Sequence, residues 1–325
     1  MVRRFSPTVS VVIPTYNGSA LVGRALESVL AQTRRPDEVV VVDDCSDDHT
    51  AAVAEAIGAT SAVPIRVLRL TRNSGGPARP LNVGIASAQG DVIAVLEQDD
   101  AMRPRRIERL LQALDAVPES SVVVGRVAID GRSPGDLTPI WPVPQFAGVV
   151  ELDDDSRPVV PVEPAAAFRG LLRRNFAVSN SNLGFRKHAW RDVHGFNERI
   201  RTCTDLDYLL KAVRVGTVAV INEVVLDYHW RPDSLNRSKC DATMTELALV
   251  RLAAASAKPE WAGEDLDELA AAALSLITAA LRRGDVAEAC RVVIGVTGSR
   301  STAPLLRHLG HRVRRRIAWE HQRAQ

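Results

Sequence analysis

Cysteine is scarce in this chain of 325 residues, and Cys45, Cys203, Cys240 and Cys290 are scattered, with no C-x-x-C pair among them. That excludes a disulfide framework or a cysteine-based zinc site and fits a reducing compartment. No apolar run approaches the roughly 18–20 residues a membrane-spanning helix needs. The opening MVRRFSPT sets two arginines before the apolar VSVVIP. That run is short, β-branched and without a small-residue cleavage site, so it reads as a strand and not as a signal peptide. A cytoplasmic protein is expected. Charge of one sign is not in excess either: 41 basic residues face 39 acidic ones, which excludes a nucleic-acid binder of the whole-surface type. A charged fraction of 25% beside a hydrophobic share of 46% excludes wholesale disorder. Neither GxxxxGK[ST] nor GxGxxG occurs, so a P-loop enzyme and a nicotinamide or flavin enzyme have no support. Internal repeats and low-complexity tracts are missing as well.

What is present is an alternation of short β-branched runs and helical patterns. VSVVIP (Val9 to Pro14), EVVVVDD (Glu38 to Asp44), PIRVLRL (Pro64 to Leu70) and DVIAVLEQDD (Asp91 to Asp100) read as four strands. Between them, Ser19 is placed to cap a helix whose apolar positions Leu21, Val22, Ala25, Leu26, Val29 and Leu30 recur at helical spacing. A second helix is expected from Asp48 and a third over Ala78 to Ala88. The fold class that follows is α/β, a mostly parallel sheet with helices on both faces. Such sheets bind ligands beyond the carboxyl ends of their strands, and here three of the four strands end in polar groups. From Ile129 to Pro164 seven prolines and the acidic trio Asp153 to Asp155 mark a long irregular insertion. Past Asp241 the chain is alanine- and leucine-rich and free of strand signals. Residues 1–240 are therefore expected to form one domain, with a nucleotide-binding half over 8–130 and an acceptor half over 131–240. Residues 241–325 are expected to form a helical appendage, a reasonable surface for a homodimer. HLGHRVRRRIAWEHQR near the C-terminus, with Arg312, Arg314, Arg315, Arg316 and Trp319, is either a solvated helix end or a peripheral contact with an anionic membrane face.

Four acidic or amide residues, Glu97-Gln98-Asp99-Asp100, close an apolar strand. Clustered carboxylates repel, and burial penalises their charge. A divalent cation removes that cost, and hard oxygen ligands suit Mg²⁺ or Mn²⁺, which complete their shell with substrate phosphates. The competing reading is an exposed acidic turn, with Asp100 capping a helix near Arg103-Pro104. RNSGGPARPLN opens a helix whose N-terminus attracts phosphate, within reach of Arg79. Tyr16 offers a face for a base, Asp43 and Asp44 offer acceptors for base or ribose, and Asn180 and Asn182 in SNSNLGFRK are candidate acceptor-sugar contacts.

Together VSVVIPTYNGSALVGRALESVLAQT, EVVVVDDCSDDHT, RNSGGPARPLNVGIASAQGDVIAVLEQDD and HGFNERIRTCTDLDYLLKA resemble the family 2 glycosyltransferases of the GT-A fold, in the family's order and over roughly residues 8–232. The resemblance implies that Pro14, Thr15, Tyr16 and Asn17 with Asp43 and Asp44 surround the nucleotide of a UDP, GDP or dTDP sugar. It places the metal-diphosphate at Asp99, with Asp100 and Glu97 beside it, and His229 in DYHWRPDSLNRS approaches the same metal from late in the chain. Arg231, Ser234 and Arg237 in that segment would close over the diphosphate. Asp205 is implied as the general base that takes the proton of an acceptor hydroxyl, with Asp207 second to it. Transfer in one step with inversion is implied in the same way, to a glycan, a glycolipid (a lipid-linked acceptor) or a natural product. Two positions depart from the family pattern: Glu97 begins the D-x-D, and Thr204 precedes Asp205 where the family has E-D. They keep a catalytically inactive binding or scaffold module open as an alternative. A sugar-nucleotide pyrophosphorylase, which wants a glycine-rich basic loop after the first strand, fits less well, because PTYNGSA has no basic residue before Arg24.

Overall fold

All seven residues of β1 (Val9–Thr15) and all six of β2 (Glu38–Asp43) are buried. A strand buried on both faces needs a helical layer on each side, and the computed structural model shows both layers. It describes residues 7–130, 145–152, 157–231 and 240–265, together with Leu269. Within them lie α1 (Val22–Leu30), α2 (Thr50–Thr60), β3 (Ile65–Arg69), α3 (Ala78–Ser87), β4 (Val92–Val95), β5 (Ala101–Met102), α4 (Arg106–Ala116) and β6 (Ser120–Asp130). The chain continues through β7 (Val159–Val162), α5 (Pro164–Arg173), a 3₁₀ turn (Asn180–Asn182), β8 (Gly184–Arg186), α6 (Lys187–Asp192), α7 (Thr204–Ala212), β9 (Thr217–His229), α8 (Cys240–Ala257) and α9 (Pro259–Ala262).

The period-2 alternation of the strands divides the core. Val9, Val11 and Ile13 with Val39 and Val41 face one layer, built from Leu26 and Val29 of α1 and Ile107 and Leu110 of α4. Val12, Val40 and Val42 face the other, built from Leu81 and Ile85 of α3, Phe168 and Leu171 of α5, and Leu206 and Leu209 of α7. Each valine so enclosed is worth about 1.5–3 kcal/mol relative to exposure. The sheet order is β3-β2-β1-β4-β8-β6-β9-β5, with β7 beside β9. β3, β2, β1 and β4 run parallel, as do β6 and β9. β8 is antiparallel to both β4 and β6, so the second half of the sheet is mixed.

The register puts the ends of several strands on one rim. Thr15 pairs with Asp43, Asp43 with Arg69, and Asp130 with His229, while the 3₁₀ turn ahead of β8 arrives at the same rim from the opposite direction. The fourth strand is shorter than expected. It ends at Val95, and beyond Leu96 the backbone turns, with the Asp100 N–H donating to the Glu97 carbonyl at 3.3 Å, so the acids stand in a turn. Ser19 does not cap α1: the Leu21 and Val22 N–H groups donate to the Gly18 carbonyl, and the Ser19 N–H itself is taken by Asp48. Asp100 caps no helix, for α4 begins only at Arg106. Inside the proline-rich segment, β7 adds a strand antiparallel to β9. The start of the helical appendage joins the core, with Val250 and Ala255 of α8 and Ala262 of α9 in the same cluster as α5 and α7. The basic C-terminal stretch, Ser234, Arg237, Cys290 and Asp153 to Asp155 lie outside the described residues. No described helix is long and apolar enough to cross a membrane.

Candidate active site

A cleft of about 500 Å³ opens on the rim. One wall is the loop that leaves β1. Pro14, Thr15, Tyr16 and Asn17 all line it, and Tyr16, 46% exposed, offers its ring. Gln98 fixes this loop in both directions: its Oε1 accepts the Tyr16 N–H at 2.9 Å, and its Nε2 donates to the Tyr16 carbonyl at 3.0 Å. A Cβ on Gly18 would lie 2.1 Å from Gln98 Oε1, so only glycine leaves room for that clasp. Asn17 sits at φ 46°, a region that asparagine tolerates better than most residues. Its side chain repays the cost by accepting the Asp47 N–H at 3.1 Å.

Asp44 lines the cleft and Asp43 does not. The Asp43 carboxylate is buried behind the wall and holds the Ser46 hydroxyl and N–H. Asp44 accepts from the Ser74 N–H and hydroxyl, the latter at 2.7 Å. Burial raises its pKa nonetheless, against those bonds and the charge of Arg79. Arg79 thus stands near Asp44 in the first turn of α3 without lining the cleft. Asn73, Gly75, Gly76, Pro77 and Pro80 continue this wall.

The opposite wall carries Glu97, Asp99, Asn180 and Asp205. Glu97 is pushed well above the usual carboxylate range by burial and by the charges of Asp99 and Asp100, with one opposing bond from Asn180. Asp99 is raised by burial too, although Arg231, His229 and Arg24 oppose it. Arg24 also donates to the Asp99 carbonyl at 2.6 Å. Asp100, expected beside the metal, turns into the protein instead. It is fully buried and accepts from the His229 N–H at 2.9 Å and the Ser179 hydroxyl at 3.3 Å. Burial and then the charge of Asp99 carry its pKa to about 7. Arg106, buried beneath β4, feels the Asp100 charge and is lowered by burial to about 9. His229, expected on the metal, does not line the cleft, whereas its neighbours Tyr228 and Arg231 do. Among the described residues no group of three His, Cys, Asp or Glu side chains is gathered in ligand geometry.

Asp205 sits in the first turn of α7, where the helix dipole favours a negative charge. Its Oδ2 accepts from Asn175 Nδ2 at 2.6 Å and its Oδ1 from the Leu206 N–H at 2.8 Å. Burial still raises its pKa to about 6. Asp207 is held by Lys211 at 2.9 Å. Asn180 Nδ2 donates both to Glu97 Oε1 at 3.2 Å and to Thr204 Oγ1 at 3.0 Å. The two departures from the family pattern, Glu97 and Thr204, are therefore joined through one amide. Asn182, expected on the acceptor, is spent inside: it bonds the Gly125 N–H and carbonyl and the Ala177 carbonyl. Gln98, Asn175, Arg201 and Thr202 were not singled out as site residues by the sequence, because each acts through a partner distant in the chain and no local spacing announces it.

A parallel α/β half-sheet with the β1 loop, Asp44 after β2 and the acidic turn after β4 around one cleft is the arrangement of the GT-A fold. The chain belongs to the glycosyl transferase family 2, whose model matches residues 10–174. The succinoglycan biosynthesis protein ExoO of Rhizobium meliloti is 43% identical over 129 residues, 39% of this chain and 36% of that protein. The chain thus spans little more than a third of that relative's length. An uncharacterized glycosyltransferase of Haemophilus influenzae is 26% identical over 246 residues, 74% of each chain. Among solved structures, Staphylococcus aureus TarS 1–349 superposes with a TM-score of 0.60 at 20% identity, covering 94% of this chain and 82% of that one. The same protein in complex with UDP-GlcNAc gives 0.56 at 19% identity, covering 89% of each.

Proposed function

We propose that the protein catalyses metal-dependent, inverting transfer of a sugar from a nucleotide diphosphate to an acceptor hydroxyl. The observation that carries this reading is that Asp99 and Asp205 line a single cleft, one on the acidic turn and one on α7. Tyr16 stacks on the base, a contact worth about 1–3 kcal/mol in other base-stacking systems. Asp44, fixed by Ser74, accepts from base or ribose. Asp205 accepts the proton of the attacking hydroxyl, and its pKa near 6 leaves it ionised yet basic enough to act at neutral pH. Asn175 aims that carboxylate.

Glu97 and Asp99 are the residues that would hold Mg²⁺ or Mn²⁺. Their fit rests on their raised pKa values, which mark carboxylates short of positive charge, and on oxygen chemistry that suits a cation bound by two carboxylates and a diphosphate. When bound, the cation takes up charge on the departing diphosphate. Asp100 supports the turn from behind.

UDP sugars are the first donors to try, because the TarS neighbours are described with UDP and UDP-GlcNAc; GDP and dTDP sugars come next. Two relatives are named for succinoglycan and for poly(ribitol-phosphate), so a polymer hydroxyl is the acceptor class proposed, lipid-linked or free. We assign residues 1–240 to the transferase domain and 241–325 to a helical region, the latter a candidate dimer surface and, through its basic end, a peripheral membrane contact. Cytoplasmic placement at the inner membrane face rests on the sparse cysteines, of which Cys45 and Cys203 are free thiols.

Calorimetric titration with UDP, with and without Mn²⁺, tests the reading. Asp99→Asn should weaken Mn²⁺-dependent UDP binding about 100-fold, the upper range seen for disturbed metal sites. Equal affinity in wild type and variant would remove Asp99 from the site, and a wild type indifferent to both UDP and Mn²⁺ would leave the inactive binding module standing.

A further inference from the structure

Glu246 belongs to no motif. It is an acid in the apolar helix segment TELALVRLAAA, on α8, among Leu249, Val250 and Leu252, which are all buried. Its side chain is itself 2% exposed, a position where a carboxylate is costly unless fully bonded. Its bonds all go to one short segment. It accepts the backbone N–H groups of Arg201 at 3.0 Å, Thr202 at 2.7 Å and Cys203 at 3.2 Å, and the Thr202 hydroxyl as well. Those N–H groups lead into α7, whose N-cap residue Cys203 makes no side-chain cap. Helix starts leave N–H groups without intrahelical partners and carry the positive end of the dipole. The approach to the helix that bears Asp205 is therefore held by another helix.

The same segment is confined from the other side by the Gly75-Gly76 turn. A Cβ on Gly76 would stand 2.9 Å from the Arg201 carbonyl oxygen and 3.1 Å from its Cα, so no side chain fits between. Arg201 and Thr202 line the cleft together with Asp205.

We infer that Glu246 is a positioning residue for the transfer reaction: by fixing residues 201–203 it sets where α7 presents Asp205. This rests on Asp205 acting as the base. α8 is then a working part of the site, although the family model ends at residue 174.

The test uses the full chain with UDP-GlcNAc and Mn²⁺, following UDP release. Glu246→Gln keeps the shape but turns one acceptor oxygen into a donor facing N–H groups. It should lower kcat tenfold or more and leave KM for UDP-GlcNAc within threefold. Thr202→Val, which removes one of the four bonds, should shift kcat the same way by about threefold. If Glu246→Gln does not fold, Thr202→Val and Glu246→Asp carry the same comparison. A wild-type kcat in Glu246→Gln, or in both substitutes where it does not fold, overturns the inference, as does a loss confined to KM. Asp205→Asn is assayed in parallel. If that variant keeps turnover, the base assignment fails first; if it is inactive while Glu246→Gln turns over normally, only the positioning role falls.

Discussion

The two ends of the sheet treat buried carboxylates in opposite ways. At the end where the parallel strands begin, Glu38 accepts from the Ser10 hydroxyl at 2.7 Å, from the Gln89 N–H, and from Arg66 at 3.0 Å and 3.2 Å. Burial works to raise its pKa, yet those bonds and the Arg66 charge bring it below the usual value. Asp37 and Asp91 nearby each secure the first strand through the N–H groups of Val9 and Thr8. At the end where the strands finish, Asp100 and Asp205 are buried and Glu97 and Asp99 half-buried, and all four are raised. The difference lies in the supply of donors and cations. One end is closed electrostatically by the protein's own groups, and the other is left short of positive charge. Strongly perturbed groups in a cleft mark functional sites on general grounds, and stability given up there is the usual cost of activity.

The contrast breaks most visibly at Asp205. Asp205→Asn should cut turnover about a thousandfold, within the range for a lost general base, while UDP affinity stays within threefold. Wild-type turnover should fall as pH drops through about 6, because the base works only when ionised and its pKa is raised to about 6. A variant with near wild-type kcat, or a kcat flat from pH 5 to 8, would show that the raised carboxylate is a structural residue.

The closed end predicts the reverse pattern. Glu38→Gln should leave UDP binding and turnover unchanged and cost about 1.5–3 kcal/mol, the range for hydrogen bonds to a charged group. In a chain of this size each kcal/mol lowers Tm by about 1–2 °C. A loss of activity with unchanged Tm would erase the distinction between the two ends.

Most of the first half of the site is written locally. The β1 loop, the Asp43-Asp44 pair and the acids after β4 fall at strand ends, where a βαβ pattern delivers its polar groups to one rim, and period-2 alternation separates the two core layers without further information. What stayed hidden depends on contacts between distant segments. Asp43 and Asp44 look equivalent in sequence, but β2 ends at Asp43, whose carboxylate is taken by Ser46, and only Asp44, just past the strand, reaches the cleft. Asn182 resembles Asn180 until the 3₁₀ turn points one at Glu97 and the other at Gly125. Asp100 reads as a ligand because it sits beside Asp99, and the backbone of β9 claims it instead. Glu246 did carry a signal, an acid within an apolar stretch of helix, whose meaning required its partners 43 to 45 residues away.

The smallest effect concerns stability and pH, and its sign follows from the same contrast. Glu38 has a lowered pKa, so its contribution is present above its unfolded value and fades as pH falls. Asp100 and Asp205 are raised to about 7 and about 6, so the folded chain keeps protons that the unfolded chain releases, and stability drains as pH rises from about 4 to about 7. Asp100→Asn removes one of those titrations and leaves an acceptor for the His229 N–H. Two terms keep the change modest: Asp99 relaxes when its neighbour loses charge, and Arg106 loses the negative group that offsets its burial. Near pH 3, where Asp100 is protonated in both the folded and the unfolded chain, the two proteins should melt together. At pH 8 the wild type should lie about 1–2 °C below the variant, the equivalent of about 1 kcal/mol. Melting curves that stay parallel between pH 3 and 8 would mean that Arg106 neutralises Asp100 fully, and that the strained charge of this rim resides in Glu97, Asp99 and Asp205 alone.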